Sequence, residues 1–141
     1  MPSAKVRWNQ GMQFIGIANS GHAVLVDAAE QSGGLDSAPR PTELLLIAQG
    51  SCTGMDVVSI LRKMKIDFSD FEMEIDGELT EEHPKFIKKI HIAYKIWGDV
   101  PEEKFKKAIE LSLEKYCSVA NTLNGRAEIT YSYAINPAKE G

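Results

Sequence analysis

Polar and apolar residues alternate along the start of the chain. Ala4, Val6 and Trp8 interleave with Lys5, Arg7 and Asn9, the pattern of a half-buried strand. Gln10-Gly11 reads as a turn into a second strand, with Met12, Phe14 and Ile15 to Ala18. Asn19-Ser20-Gly21 is a further turn before a third, His22 to Asp27. Together these predict an antiparallel meander. Glu30 to Arg40, rich in Gly, Ser and Pro, predicts an exposed loop in which Pro39 and Pro41 stiffen the chain around Arg40.

The pattern then changes period. From Pro41 to Lys65 the chain is almost continuously apolar, and Leu44, Leu45, Ala48, Cys52, Met55 and Ser59 recur at helical spacing. That stripe must be covered by other protein. The opposite side, with Leu46, Ile47, Val57, Val58 and Leu61, is also apolar, as in a central helix. Pro41 and Glu43 suit its first turn, and Arg62, Lys63 and Lys65 its last. Gly50 and Gly54 flank Ser51-Cys52-Thr53, and two glycines weaken a helix by roughly 2 kcal/mol. A kink is therefore expected, with Thr53 and Asp56 capping the restarted segment. A thiol at such a restart would have its pKa lowered.

Beyond the helix, alternation resumes. Phe71, Met73, Ile75 and Leu79 alternate with acids, and Ile90, Ile92, Tyr94 and Ile96 with Lys89, His91 and Lys95, forming two strands joined through EEHPK. Facing acids and bases would add cross-strand pairs. Pro101 opens a second amphipathic helix that runs to about Cys117. Ser118 to Leu123 predicts a short helix closed by Asn124-Gly125. Ala127, Ile129, Tyr131, Tyr133 and Ile135 share one face of a last strand.

Composition adds boundaries to this α+β reading. The chain of 141 residues is expected to form one domain, 1–141, with 43% hydrophobic and 26% charged residues. Its net charge of -4 argues against nucleic acid and anionic membranes as partners. No apolar run is expected to span a bilayer, and no secretory leader is read at Met1-Pro2-Ser3. Two cysteines without such a leader point to a reducing cytoplasm. Neither a cofactor nor a metal is expected, because Cys52, Cys117, His22, His83 and His91 lack ligand spacing.

Both cysteines stand beside a small hydroxyl residue, as Ser51-Cys52-Thr53 and Cys117-Ser118. One reading is a redox pair, in which a peroxide makes a sulfenic acid and the second thiol condenses with it. The other treats both as small buried hydrophobes. Spacing leaves both open. Gly50-Ser51-Cys52-Thr53-Gly54 also fits a cysteine version of the nucleophile elbow, but helix rather than strand precedes it and the chain is short for that fold.

The stretch PTELLLIAQGSCTGMDVVSILRKM, two strands, and then EKYCSVANTL resemble the OsmC/Ohr family of osmotically inducible and organic hydroperoxide resistance proteins, in its YhfA-like branch. The resemblance covers almost the whole chain. It implies antiparallel sheets packed around a long cysteine-bearing helix in an intertwined homodimer. It further implies a thiol-dependent peroxidase for small hydrophobic peroxides: Cys52 attacks, Cys117 resolves as a Cys52–Cys117 disulfide, and an external dithiol restores both. Peroxide-reducing branches of the family activate the thiolate with a glutamate directly after the opening proline and with an arginine from the N-terminal sheet. Here Thr42 follows Pro41, so Glu43 and Arg40 are the candidates. On an unbroken helix Glu43 and Cys52 would stand roughly 13 Å apart. The alternative function is a non-catalytic binder of a small hydrophobic ligand, in a pocket near Leu45, Ala48 and Met55.

Overall fold

Alternating β-branched and aromatic residues shape the first part of the chain as expected. In the computed structural model, which describes residues 1–140, β1 (Ala4–Gln10), β2 (Gln13–Ala18) and β3 (Ala23–Val26) form the antiparallel meander, with Val6 opposite Gly16 and Phe14 opposite Val26. This sheet belongs to a unit spanning Met1–Leu45. The expected half-burial of β1 is not observed within the chain: every residue of β1 is exposed, and Val6 and Trp8 are 64% and 65% accessible.

The loop after β3 is held more tightly than its composition implies. Asp27, almost fully buried, accepts hydrogen bonds from the backbone N–H groups of Ala28, Leu35 and Ser37 and from the Ser37 hydroxyl. These donors, the Ser37 hydroxyl foremost, pull its carboxyl down to about 2. At the loop's end the Arg40 N–H donates to Glu43 at 2.8 Å, as in the reciprocal half of a capping box.

The helix that follows, α1 (Pro41–Lys63), runs without interruption, so the kink expected at Gly50–Gly54 does not occur. The two glycines instead let the helix approach β4 (Asp70–Leu79). A Cβ at Gly50 would lie 2.5 Å from Ile75 Cδ1, and one at Gly54 would lie 2.7 Å from Met73 Cε. Close packing has overridden a propensity cost. The covered face is Gln49, Gly50, Thr53, Gly54, Val57 and Leu61, while Ile47 and Met55 stay exposed. By length and by a mean hydropathy of 1.6 over 18 residues, α1 is apolar enough to cross a membrane, contrary to expectation. A core helix packed on a sheet meets the same criterion.

The second unit, Leu46–Gly141, is organised by the sheet β4–β5–β6. β5 (Ile87–Trp97) pairs antiparallel with β4, setting Glu72 opposite Lys95 and Glu78 opposite Lys89. Its buried face carries Ile90, Ile92, Tyr94 and Ile96, all fully inaccessible. β6 (Glu128–Ile135), however, lies parallel to β5, so the sheet is mixed rather than antiparallel. The chain reaches that strand through a crossover of α2 (Glu102–Leu111), a π turn (Ser112–Tyr116) and α3 (Ser118–Leu123), as a parallel neighbour requires. Phe105, Ala108 and Ile109 of α2 complete the core with Val57 and Leu61.

At the far end of β5, Gly98 has φ +135, and a Cβ there would meet Phe68 Cα at 3.0 Å and Ser69 N at 3.3 Å. The Gly98→Ala variant combines backbone strain with a backbone clash, and should lose roughly 1–3 kcal/mol. Its urea midpoint should fall with the slope unchanged; a midpoint equal to that of the parent would contradict this packing.

Candidate two-thiol site

Cys52 lies mid-helix on α1, half-buried, and not at a helix start as the sequence pattern implied. Cys117 is wholly buried, in extended conformation between the π turn and α3. The π turn sets it there: the Cys117 N–H donates to the Ser112 carbonyl at 2.7 Å, five residues back. Both thiols are free, and they lie close enough to interact sulfur to sulfur.

The two are not equivalent. Burial, foremost, and then contact with the Cys52 thiol push Cys117 up to about 11 from an ordinary 9.0. Opposing this, the Ala120 N–H and the Gln49 side-chain amide donate to its sulfur at 3.4 Å and 3.5 Å. Cys117 is therefore a protonated thiol at neutral pH, whereas Cys52 is the accessible one.

A buried hydroxyl chain supports this centre. Tyr94 Oη lies 2.7 Å from Thr53 Oγ1, and Thr53 Oγ1 lies 2.7 Å from Ser112 Oγ. Ser112 donates to Asp56 Oδ2 at 2.9 Å. Ser112 has one proton, spent on the carboxylate, so Thr53 must donate to Ser112 and Tyr94 to Thr53. Each hydroxyl thus points towards Asp56, and the helix, β5 and the π turn are locked together beside Cys52. Burial, the leading cause, raises the Tyr94 phenol as well. Thr53 and Asp56, expected as a helix cap, serve this network instead.

Of the expected activating groups, each is engaged locally. Arg40 donates to Asp36 at 2.6 Å and to the Ala38 carbonyl, and Glu43 accepts the Arg40 N–H. Because α1 is unbroken, Glu43 stays roughly 13 Å along the helix from Cys52. Gln49 and Ser112 were missed in the sequence. Gln49 is one helical turn before Cys52, a signal that spacing could have supplied.

Beside α1 runs an apolar groove of about 620 Å³, lined by Gly54, Met55, Val58, Phe71 and Met73, with Arg62 and Lys63 at its rim. Met55 lies in it as expected for a ligand pocket, but Leu45 and Ala48 are not part of its wall. Ser51 and Gly54 flank Cys52 in its lining, whereas Cys52 itself is not among the lining residues. The chemistry is therefore read from the thiol pair.

A long helix carrying one free thiol, packed on a small sheet beside a second, buried thiol, points to the OsmC-like class. The family model described as OsmC-like protein matches residues 34–132, and the chain belongs to that family. It is 41% identical over 133 residues to Protein YhfA of Escherichia coli K12, covering 94% of this chain and 96% of that protein. A crystal structure of a hypothetical protein from Aquifex aeolicus is 28% identical, with TM-score 0.81 over 97% of this chain and 98% of its own. The fold is also that of the organic hydroperoxide resistance protein OhrB of Bacillus subtilis, at 17% identity and TM-score 0.69 over 94% and 98% of the two chains.

The raised Cys117 value sets a pH dependence. A folded-state value above the ordinary one means that folding favours the protonated thiol. The stability this lends is complete below pH 9 and drains as pH rises through about 11. In Cys52→Ser, where burial remains the cause, alkylation of Cys117 at pH 8 should run about 100-fold slower than that of an unburied thiol. Its rate should keep climbing above pH 9. A rate that levels off at or below pH 9 would contradict the buried, protonated thiol.

Proposed function

We propose that the chain is a thiol-dependent peroxidase that reduces organic hydroperoxides. One observation carries the reading: a half-buried Cys52 close to a fully buried, protonated Cys117, both free. The Cys52 thiolate attacks the outer peroxide oxygen, the O–O bond breaks, and the alkoxide leaves, taking a proton from water to become an alcohol, so Cys52 becomes a sulfenic acid. The Cys117 sulfur then attacks the Cys52 sulfur. The S–O bond breaks, and hydroxide takes the Cys117 proton and departs as water. An external dithiol reduces the resulting Cys52–Cys117 disulfide. The cytoplasm, which keeps thiols reduced, suits such a cycle.

Glu43 and Arg40 are proposed as activating groups that act across a homodimer, since α1 itself holds Glu43 away from the Cys52 of the same helix. Apolar exposure supports assembly. Met55 and Ile47 on α1 are 72% and 56% accessible, and Trp8, Val24 and Leu25 are exposed in the first sheet. A second reading has a specific observation behind it: the groove beside α1 could hold a small hydrophobic ligand without catalysis.

Steady-state turnover of an organic hydroperoxide with an external dithiol separates the two. Cys52→Ser should lose on the order of a thousandfold or more in rate. Without the dithiol, Cys117→Ser should consume one equivalent of peroxide and stop at the sulfenic acid. Equal turnover in the parent and Cys52→Ser, or none in the parent, would leave only the binder.

A further inference from the structure

Gln49 lies on the covered face of α1, one turn before Cys52, and is wholly buried. Its Nε2 donates to Cys117 Sγ at 3.5 Å. Its Oε1 is buried with no hydrogen-bonding partner, the one such side-chain atom among the described residues. An unpaired buried acceptor is costly, and such groups call for a specific explanation. The neighbouring hydroxyls cannot relieve it, because Tyr94, Thr53 and Ser112 each spend their proton along the chain to Asp56. A leucine or methionine would occupy similar space without the unpaired carbonyl.

We propose that Gln49 is a positioning residue of the thiol pair: its N–H orients the Cys117 sulfur, and its free carbonyl accepts the hydroxyl of a sulfenic acid formed on Cys52. The role rests on the peroxidase reading above. The reduced site offers Oε1 no O–H donor, whereas oxidation places one on the residue a single turn away, where side chains meet across a helix face. Accepting that proton keeps the sulfenic acid neutral, the electrophilic form, and fixes its S–O bond relative to Cys117. The donated N–H steadies negative charge on the Cys117 sulfur as it attacks. The balance is unchanged: the S–S bond forms, the S–O bond breaks, and hydroxide leaves as water with the Cys117 proton.

The test compares the full-length parent with Gln49→Leu and Gln49→Glu. Each reduced protein is mixed with one equivalent of cumene hydroperoxide and quenched over time, with dimedone trapping the sulfenic acid and intact mass reporting the disulfide. Gln49→Leu should melt at the parental temperature or above, since an orphaned polar group is gone. It should form sulfenic acid at the parental rate yet close the disulfide about tenfold more slowly. Gln49→Glu should close at nearly the parental rate while its carboxyl is protonated, retaining a donor and an acceptor, and slow as pH rises and the carboxyl ionises. That pH profile is one that a purely structural role would not produce. Parental closure in Gln49→Leu, or identical pH profiles in the two variants, would overturn the role. A parent that forms no sulfenic acid would remove the peroxidase reading itself, and this role with it.

Discussion

The close approach of α1 to its sheet is the constraint on which the site depends. Gly50 and Gly54 have no side chains to hold the helix off Ile75 and Met73. That proximity brings Thr53 within 2.7 Å of both Tyr94 and Ser112, and Gln49 within 3.5 Å of the Cys117 sulfur. One helix face thus carries the packing contacts, the polar network and a donor to the second thiol. The cost is a face made of small and polar groups, each of which must find a buried partner. All but the Gln49 carbonyl do so among the described side chains.

Asymmetry between the two cysteines follows from the same packing. The π turn presses Cys117 into the core and fixes its N–H on Ser112, while Cys52 remains at the edge of the covered face. Burial disfavours the charged form of the first and leaves the second open to an incoming molecule. In the proposed cycle this difference assigns attack to one thiol and resolution to the other, with no further acid or base needed to tell them apart.

Much of this was legible in the residues. Strand periodicity located the meander and the buried face of β5, because Ile90, Ile92, Tyr94 and Ile96 obey a strict period of two. The long cysteine-bearing helix and the order of elements were also readable. Three features were not. The glycines of α1 read as breakers because propensity is local, whereas their use is against β4. Cover was expected on every side of α1, and Val57 and Leu61 are buried as expected, but Gln49, Thr53 and two glycines complete the covered face and do not look like a buried stripe. The parallel pairing of β6 depends on a crossover whose path no single segment specifies. Arg40 and Glu43 were picked for charge and position, yet their visible partners are Asp36 and a backbone N–H at the helix start.

The central claim is that Cys52 and Cys117 form a redox couple. Its most direct measurement is the intact mass and thiol map of the reduced protein after one equivalent of an organic hydroperoxide. The account requires the loss of two hydrogens, with peptides joined through Cys52 and Cys117. Two unmodified thiols after that treatment would contradict it.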